Sequence, residues 1–230
     1  MTAQRIDTSE IVYPESDGKP VADNTQQFHW LTVIQYNLDW LFARDRNVFV
    51  AGDLLWYPVE GNNQLSQAPD VMVVFGVPKG DRGSYLQWRE NDIAPQVVFE
   101  IRSPSNRQTE LDRKQRFYDR YGVEEYYLYD PRPNDLSGWQ RQGDRLEPIA
   151  AMATWTSPRL GIHFERTETT LNLYQPDGQP FATFREIQTR LAETEQALAV
   201  ERQRAAAERD RAERLAARLR ALGIDPDSEA

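Results

Sequence analysis

The sequence contains no cysteine, which removes disulfides, thiolate nucleophiles and cysteine zinc sites together. Histidine is nearly as scarce. His29 and His163 are the only two, and their separation argues against serine–histidine catalysis and histidine-rich metal centres. Lysine occurs only at Lys19, Lys79 and Lys114. No apolar run approaches the roughly 18–20 residues that span a bilayer. Residues 1–25 are polar and acidic, without the basic start and apolar stretch of a secretory signal, so a cytoplasmic protein with no membrane partner is expected. Positive charge is also in deficit: a net −9 and a pI near 4.9 are opposite to the signature of a dedicated nucleic-acid binder. Carboxylate, lysine and arginine are what remain for chemistry.

The 230 residues suffice for one sizeable core and an appendage. The pattern predicts a flexible segment over 1–25, one α/β domain over 26–180 and a helical tail over 181–230. In Q-Q-F-H-W-L-T-V-I-Q-Y-N-L-D-W-L-F-A-R, Phe28, Leu31, Gln35, Leu38 and Phe42 recur near helical spacing, widened by Trp30, Ile34 and Leu41. V-F-V-A-G-D-L-L-W-Y-P-V and A-P-D-V-M-V-V-F then read as neighbouring strands. Residues 76–95 have no clear period, and they form a lid or an ornament packed down by Tyr85, Leu86 and Trp88.

The strand Gln96–Arg102 leads through S-P-S-N into a helix over Glu110–Tyr121, with Thr109 and Asp112 as a capping box and Gly122 as its stop. Tyr126–Pro131 is a further strand. A hairpin is expected around Gly143 and Asp144, and short strands in S-P-R-L-G-I-H-F-E and T-L-N-L-Y. From Phe184 to Leu222 the chain turns to alanine, glutamate and arginine. Leu191, Leu198, Ala205, Ala212 and Leu219 recur every seven residues, but Thr194, Glu201 and Glu208 interrupt the accompanying apolar positions. This is a long helix and a weak coiled coil, open to standing alone or to forming a homodimer, for which the fold itself is the other route.

Two charged groups at the end of an otherwise apolar strand, Glu100 and Arg102, need a reason, because buried charges are costly unless paired or metal-bound. Asp70 heads another apolar strand. If the two strands are neighbours, Asp70 and Glu100 converge, and a pair of carboxylates suits a hard cation such as Mg²⁺. Lys114 shares a helix stripe with Leu111, Tyr118 and Tyr121, which turns it either toward the sheet or, by snorkelling, to solvent. Arg102 is either a further site residue or the partner of a simple ion pair. Asp53 is a third acid with an equally good surface explanation, and Ser103 and Ser105 serve the turn around Pro104.

P-D-V-M-V-V at Pro69–Val74, V-V-F-E-I-R-S-P-S-N at Val97–Asn106 and R-K-Q-R-F-Y-D-R-Y-G-V-E-E-Y-Y-L-Y-D-P at Arg113–Pro131 together resemble the Uma-two family of restriction-endonuclease-like proteins. The resemblance implies the P-D…(D/E)-x-K nuclease fold, a mixed β-sheet flanked by helices. It further implies Asp70 and Glu100 as metal-binding acids, with Mg²⁺ or Mn²⁺ as cofactor and Lys114 in place of the lysine usually two residues after the glutamate. Arg102 stands at that position and departs from the pattern. The activity implied is phosphodiester hydrolysis on nucleic acid, DNA foremost. Six cations against three acids between Arg102 and Arg120 give the chain one basic stretch. The rival reading is a non-catalytic assembly protein on the same scaffold that docks through its C-terminal helix, and a phosphoesterase acting on a smaller substrate is a third.

Overall fold

The computed structural model describes residues 11–223, which divide after Phe181 into two compact units. Asn24 opens the first helix: its side chain accepts from the backbone N–H groups of Gln26 and Gln27 at 3.0 and 2.9 Å, and α1 runs Thr25–Leu41. The buried stripe is Gln27, Leu31, Ile34 and Leu38. Phe28, expected on the inner face, is exposed together with Tyr36 and Trp40. Leu31, Ile34 and Leu38 pack against the sheet, with Trp30 and Phe42 partly buried beside them.

The central sheet contains β1 (Val48–Gly52), β3 (Val71–Phe75), β5 (Val97–Ile101), β6 (Glu125–Asp130), β7 (Asp135–Gln142) and β8 (Arg145–Pro148), in that spatial order. Within this sheet only the β5–β6 pair is parallel. Its crossover is α2, Gln108–Arg120. Alternation along the strands divides the core: Val71, Val73, Val97, Phe99 and Ile101 pack with α1, whereas Met72, Val74, Val98 and Tyr126 pack with Tyr118 of α2. A hairpin of β9 (His163–Arg166) and β10 (Leu171–Tyr174) adds Phe164, Leu171 and Leu173 to the α1 side.

The irregular stretch 76–95 is an ornament fastened to the sheet. Its β4 (Tyr85–Leu86) pairs in parallel with β2 (Trp56–Tyr57), and fully buried Tyr85 donates to the Ile93 carbonyl at 2.6 Å. Of the segment 1–25 expected to be flexible, residues 1–10 lie outside the described residues, and side chains hold the lead-in at Val12–Pro14. Tyr57 donates to the Pro14 carbonyl and Asn63 to that of Val12, both at 2.9 Å, while the Tyr13 ring meets Tyr57 and Trp88.

α2 begins two residues before the expected start. Its N-cap is Arg107, no side chain caps it, and the anticipated Thr109–Asp112 box does not form. Thr109 already lies inside the first turn. The capping box belongs instead to the second unit, where Thr183 and Glu186 open α3, Phe184–Ala221. This 38-residue helix has no buried residue, and Ile187, Leu191, Leu198 and Leu215 are exposed.

Candidate active site

The site grows out of a break in the sheet. β3 and β5 pair Val71 with Phe99 and Val73 with Val97. One further step sets Asp70 opposite Glu100, and the next sets Pro69 opposite Ile101. Proline has no N–H, so the ladder cannot be completed there. Side chains take over both polar groups of the Ile101 peptide: Asp70 Oδ2 accepts from its N–H at 2.6 Å, and Gln27 Nε2 donates to its carbonyl at 3.2 Å. The Pro69–Asp70 dipeptide thus ends a strand pairing and aims a carboxylate in the same step.

Glu100 lies on the α2 side of β5 and is 2% exposed. Lys114 Nζ stands 2.7 Å from its Oε2, and the Tyr118 hydroxyl donates to Oε1. Residues 114 and 118 are one helical turn apart, which places both on the face of α2 turned to the sheet. Lys114 is only 12% exposed and does not reach solvent by snorkelling. Asp70, 6% exposed, has its pKa pushed up to about 8, first by burial and then by the Glu100 charge; Lys114, the Ile101 N–H and a hydrogen bond from Gln27 act against this. Burial pulls the Lys114 ammonium down, but Glu100 and Asp70 together outweigh it and leave it raised. Burial, then the Glu100 charge, hold the Tyr118 hydroxyl protonated far above its ordinary range.

Asp53 follows β1, whose register with β3 sets it opposite Asp70. Asp53, just past β1, thus lies beside Asp70 and close enough to Glu100 and Lys114 to feel their charges. Asp53 has φ +48, and its N–H donates to the carbonyls of Pro69 and Asp70 at 3.1 and 3.2 Å, so the chain leaves the strand there. Its pKa is raised to about 6, by burial and then by Asp17, with Lys114 opposing. Arg102 is not drawn into this group. β5 ends at Ile101, so strand alternation does not govern Arg102, whose Nε lies 3.5 Å from Asp130 Oδ2. Glu100 takes its cation from α2 instead.

Gln27 and Tyr118 were not singled out from the sequence. Gln27 was legible only as a polar residue on a buried stripe, and Tyr118 only as part of an apolar one. Ser103 and Ser105 do more than shape a turn, since both hydroxyls donate to Asp23 Oδ2 and tie the lead-in to the end of β5. These bonds hold the Asp23 carboxyl below its usual range.

The donors fit a small hard cation. Mg²⁺ or Mn²⁺ takes one or two carboxylates and completes its shell with water and substrate oxygens. Asp70 and Glu100 are both buried carboxylates at the β3–β5 break, 6% and 2% exposed. Among the described residues no three acids or imidazoles gather closely enough to hold an ion by themselves, so any metal here would keep open positions.

The model of Uma2, "Putative restriction endonuclease", matches residues 7–169. The chain belongs to the Uma2 family. No curated protein matches it. Among solved structures, a "putative nuclease belonging to DUF820" from Anabaena variabilis ATCC 29413 is 17% identical, covering 67% of this chain and 87% of that chain with a TM-score of 0.50. That likeness is one of fold. The Uma2 match takes in Asp53, Asp70, Glu100 and Lys114, and it stops before α3. No helix among the described residues is long and apolar enough to cross a membrane.

Proposed function

We propose that this Uma2 chain is a divalent-metal-dependent endonuclease that hydrolyses phosphodiester bonds of nucleic acid, DNA foremost. The observation that carries the reading is the meeting of Asp70, Glu100 and Lys114 at the break between β3 and β5. Asp70 and Glu100 would hold Mg²⁺ or Mn²⁺, with Asp53 beside Asp70. The ion, when bound, supplies a Lewis acid for a phosphoryl oxygen and lowers the pKa of a coordinated water.

The remaining work belongs to the chain. Ile101 and Gln27 fix the Asp70 carboxylate, and Tyr118 fixes one oxygen of Glu100, leaving less reorganisation for the reacting complex. Lys114 is the cation of the group. Its ammonium, 2.7 Å from Glu100 Oε2, would neutralise charge building on a phosphate held at the same acids. Arg102, held by Asp130, is left to a structural role at the end of β5.

The test is cleavage of plasmid and of single-stranded DNA by purified protein with Mg²⁺, with Mn²⁺ and with chelator. Asp70→Asn and Glu100→Gln are each expected to lower the rate at least about a hundredfold. Equal cleavage by both variants and the parent would end the assignment. A second reading has one observation in its favour: both Glu100 oxygens are already occupied, by Lys114 and Tyr118. In that case the scaffold is inert and serves assembly through α3, and calorimetry would find no Mg²⁺ or Mn²⁺ binding that Asp70→Asn abolishes.

A further inference from the structure

The exposed seam of α3 has an order of its own. In heptad terms the a positions are Leu191, Leu198, Ala205, Ala212 and Leu219, and the d positions are Thr194, Glu201, Glu208, Leu215 and Leu222. A parallel, in-register pair would stack Glu201 on Glu201 and Glu208 on Glu208, two like-charge layers inside the seam. An antiparallel pair instead sets each a against a d of the partner. Taken about a point between Ala206 and Ala207, the layers become Leu191 with Leu222, Thr194 with Leu219, Leu198 with Leu215, Glu201 with Ala212 and Ala205 with Glu208.

Every glutamate then faces an alanine, small enough to leave room for the longer side chain. The same arrangement brings Glu208 alongside the other copy's Arg204, and Glu201 alongside its Arg211. These groups are available. None of the pairs the sequence offers within the helix, Glu201 with Arg204, Glu208 with Arg211 or Asp210 with Arg214, closes to an ion pair. Arg202 and Arg209 flank the same layers, so cations outnumber the two acids at the centre of the seam. That excess makes glutamate in the seam an asset, because each acid is surrounded by guanidinium groups.

We propose that α3 pairs with α3 of a second copy of this chain as an antiparallel coiled coil whose two-fold axis passes between Ala206 and Ala207. The glutamates that look like flaws in the heptad are the elements that set its direction, by penalising the parallel alternative. A two-fold, self-complementary contact of this kind closes at two chains. The inference is independent of the acid pair in the first unit.

The test uses the full chain and its lack of cysteine. Light scattering is expected to give a dimer. Leu198→Lys and Leu215→Glu, each alone, should weaken dimerisation at least about tenfold. Combined in one chain they should restore most of the loss, because only antiparallel pairing sets the new lysine against the new glutamate. A spin label on Glu193→Cys should report a separation of roughly 40 Å from its copy, at 1.5 Å of rise per residue, whereas parallel pairing keeps the two labels within about 25 Å. A full chain that is monomeric throughout, a dimer indifferent to both single variants, a double variant weaker than either single one, or a short label distance would each overturn the proposal.

Discussion

At the scale of single residues, the buried acids set the terms. Asp70 has a folded pKa of about 8 against an ordinary 3.8, so without metal the fold favours its protonated form. The contribution is fully present below pH 3.8 and is lost as pH rises through 8. Asp70→Asn, which stays neutral, is therefore expected to raise the metal-free melting temperature at pH 8 by at least about 3 °C, taking roughly 2–4 °C per kcal/mol for a domain of this size. Near pH 4 the gain should shrink toward zero, which differential scanning calorimetry at the two pH values would check. Lys114→Met removes the cation from buried Glu100 and is expected to cost about 3–5 kcal/mol in urea unfolding, because it leaves an uncompensated charge. Asp70, Glu100 and Lys114 could be picked from the sequence because charge on apolar strands, and a rare lysine on an apolar stripe, contradict the local pattern. Gln27 and Tyr118 contradict nothing locally. Their roles depend on which elements meet, information that period and composition do not contain.

At the scale of elements, helices and strands were mostly legible, and their ends were not. The start of α2 was misplaced because Thr109 and Asp112 have the spacing of a cap, yet the chain turns helical at Gln108, behind an N-cap arginine that offers no acceptor. Arg107→Ser supplies that acceptor and is expected to stabilise the first unit by about 0.5–1 kcal/mol, read as a rise in the urea midpoint at unchanged slope. On α1, period alone drew the apolar face too wide and included Phe28, which is exposed. Leu38 is fully buried beneath the sheet, and Leu38→Ala is expected to cost about 2–5 kcal/mol, whereas Trp40→Ala on the exposed face should change stability by less than about 0.5 kcal/mol.

At the scale of the whole molecule, ion binding is the observable that ties fold to function. Mg²⁺ or Mn²⁺ at about a hundred times its dissociation constant is expected to stabilise the parent by roughly 2.7 kcal/mol, and the shift should vanish with chelator or with Glu100→Gln. Sequence reading set β1 beside β3 but left β3 beside β5 conditional, since that pairing spans more than twenty intervening residues. The break at Pro69 has one more consequence. The Ile101 amide proton is bonded not to a strand but to a carboxylate, so its hydrogen–deuterium exchange rate is a private clock for the site. Slow exchange there would mean the acid is seated, and acceleration confined to that single proton would record Asp70 swinging away to serve another ligand while the sheet stays intact.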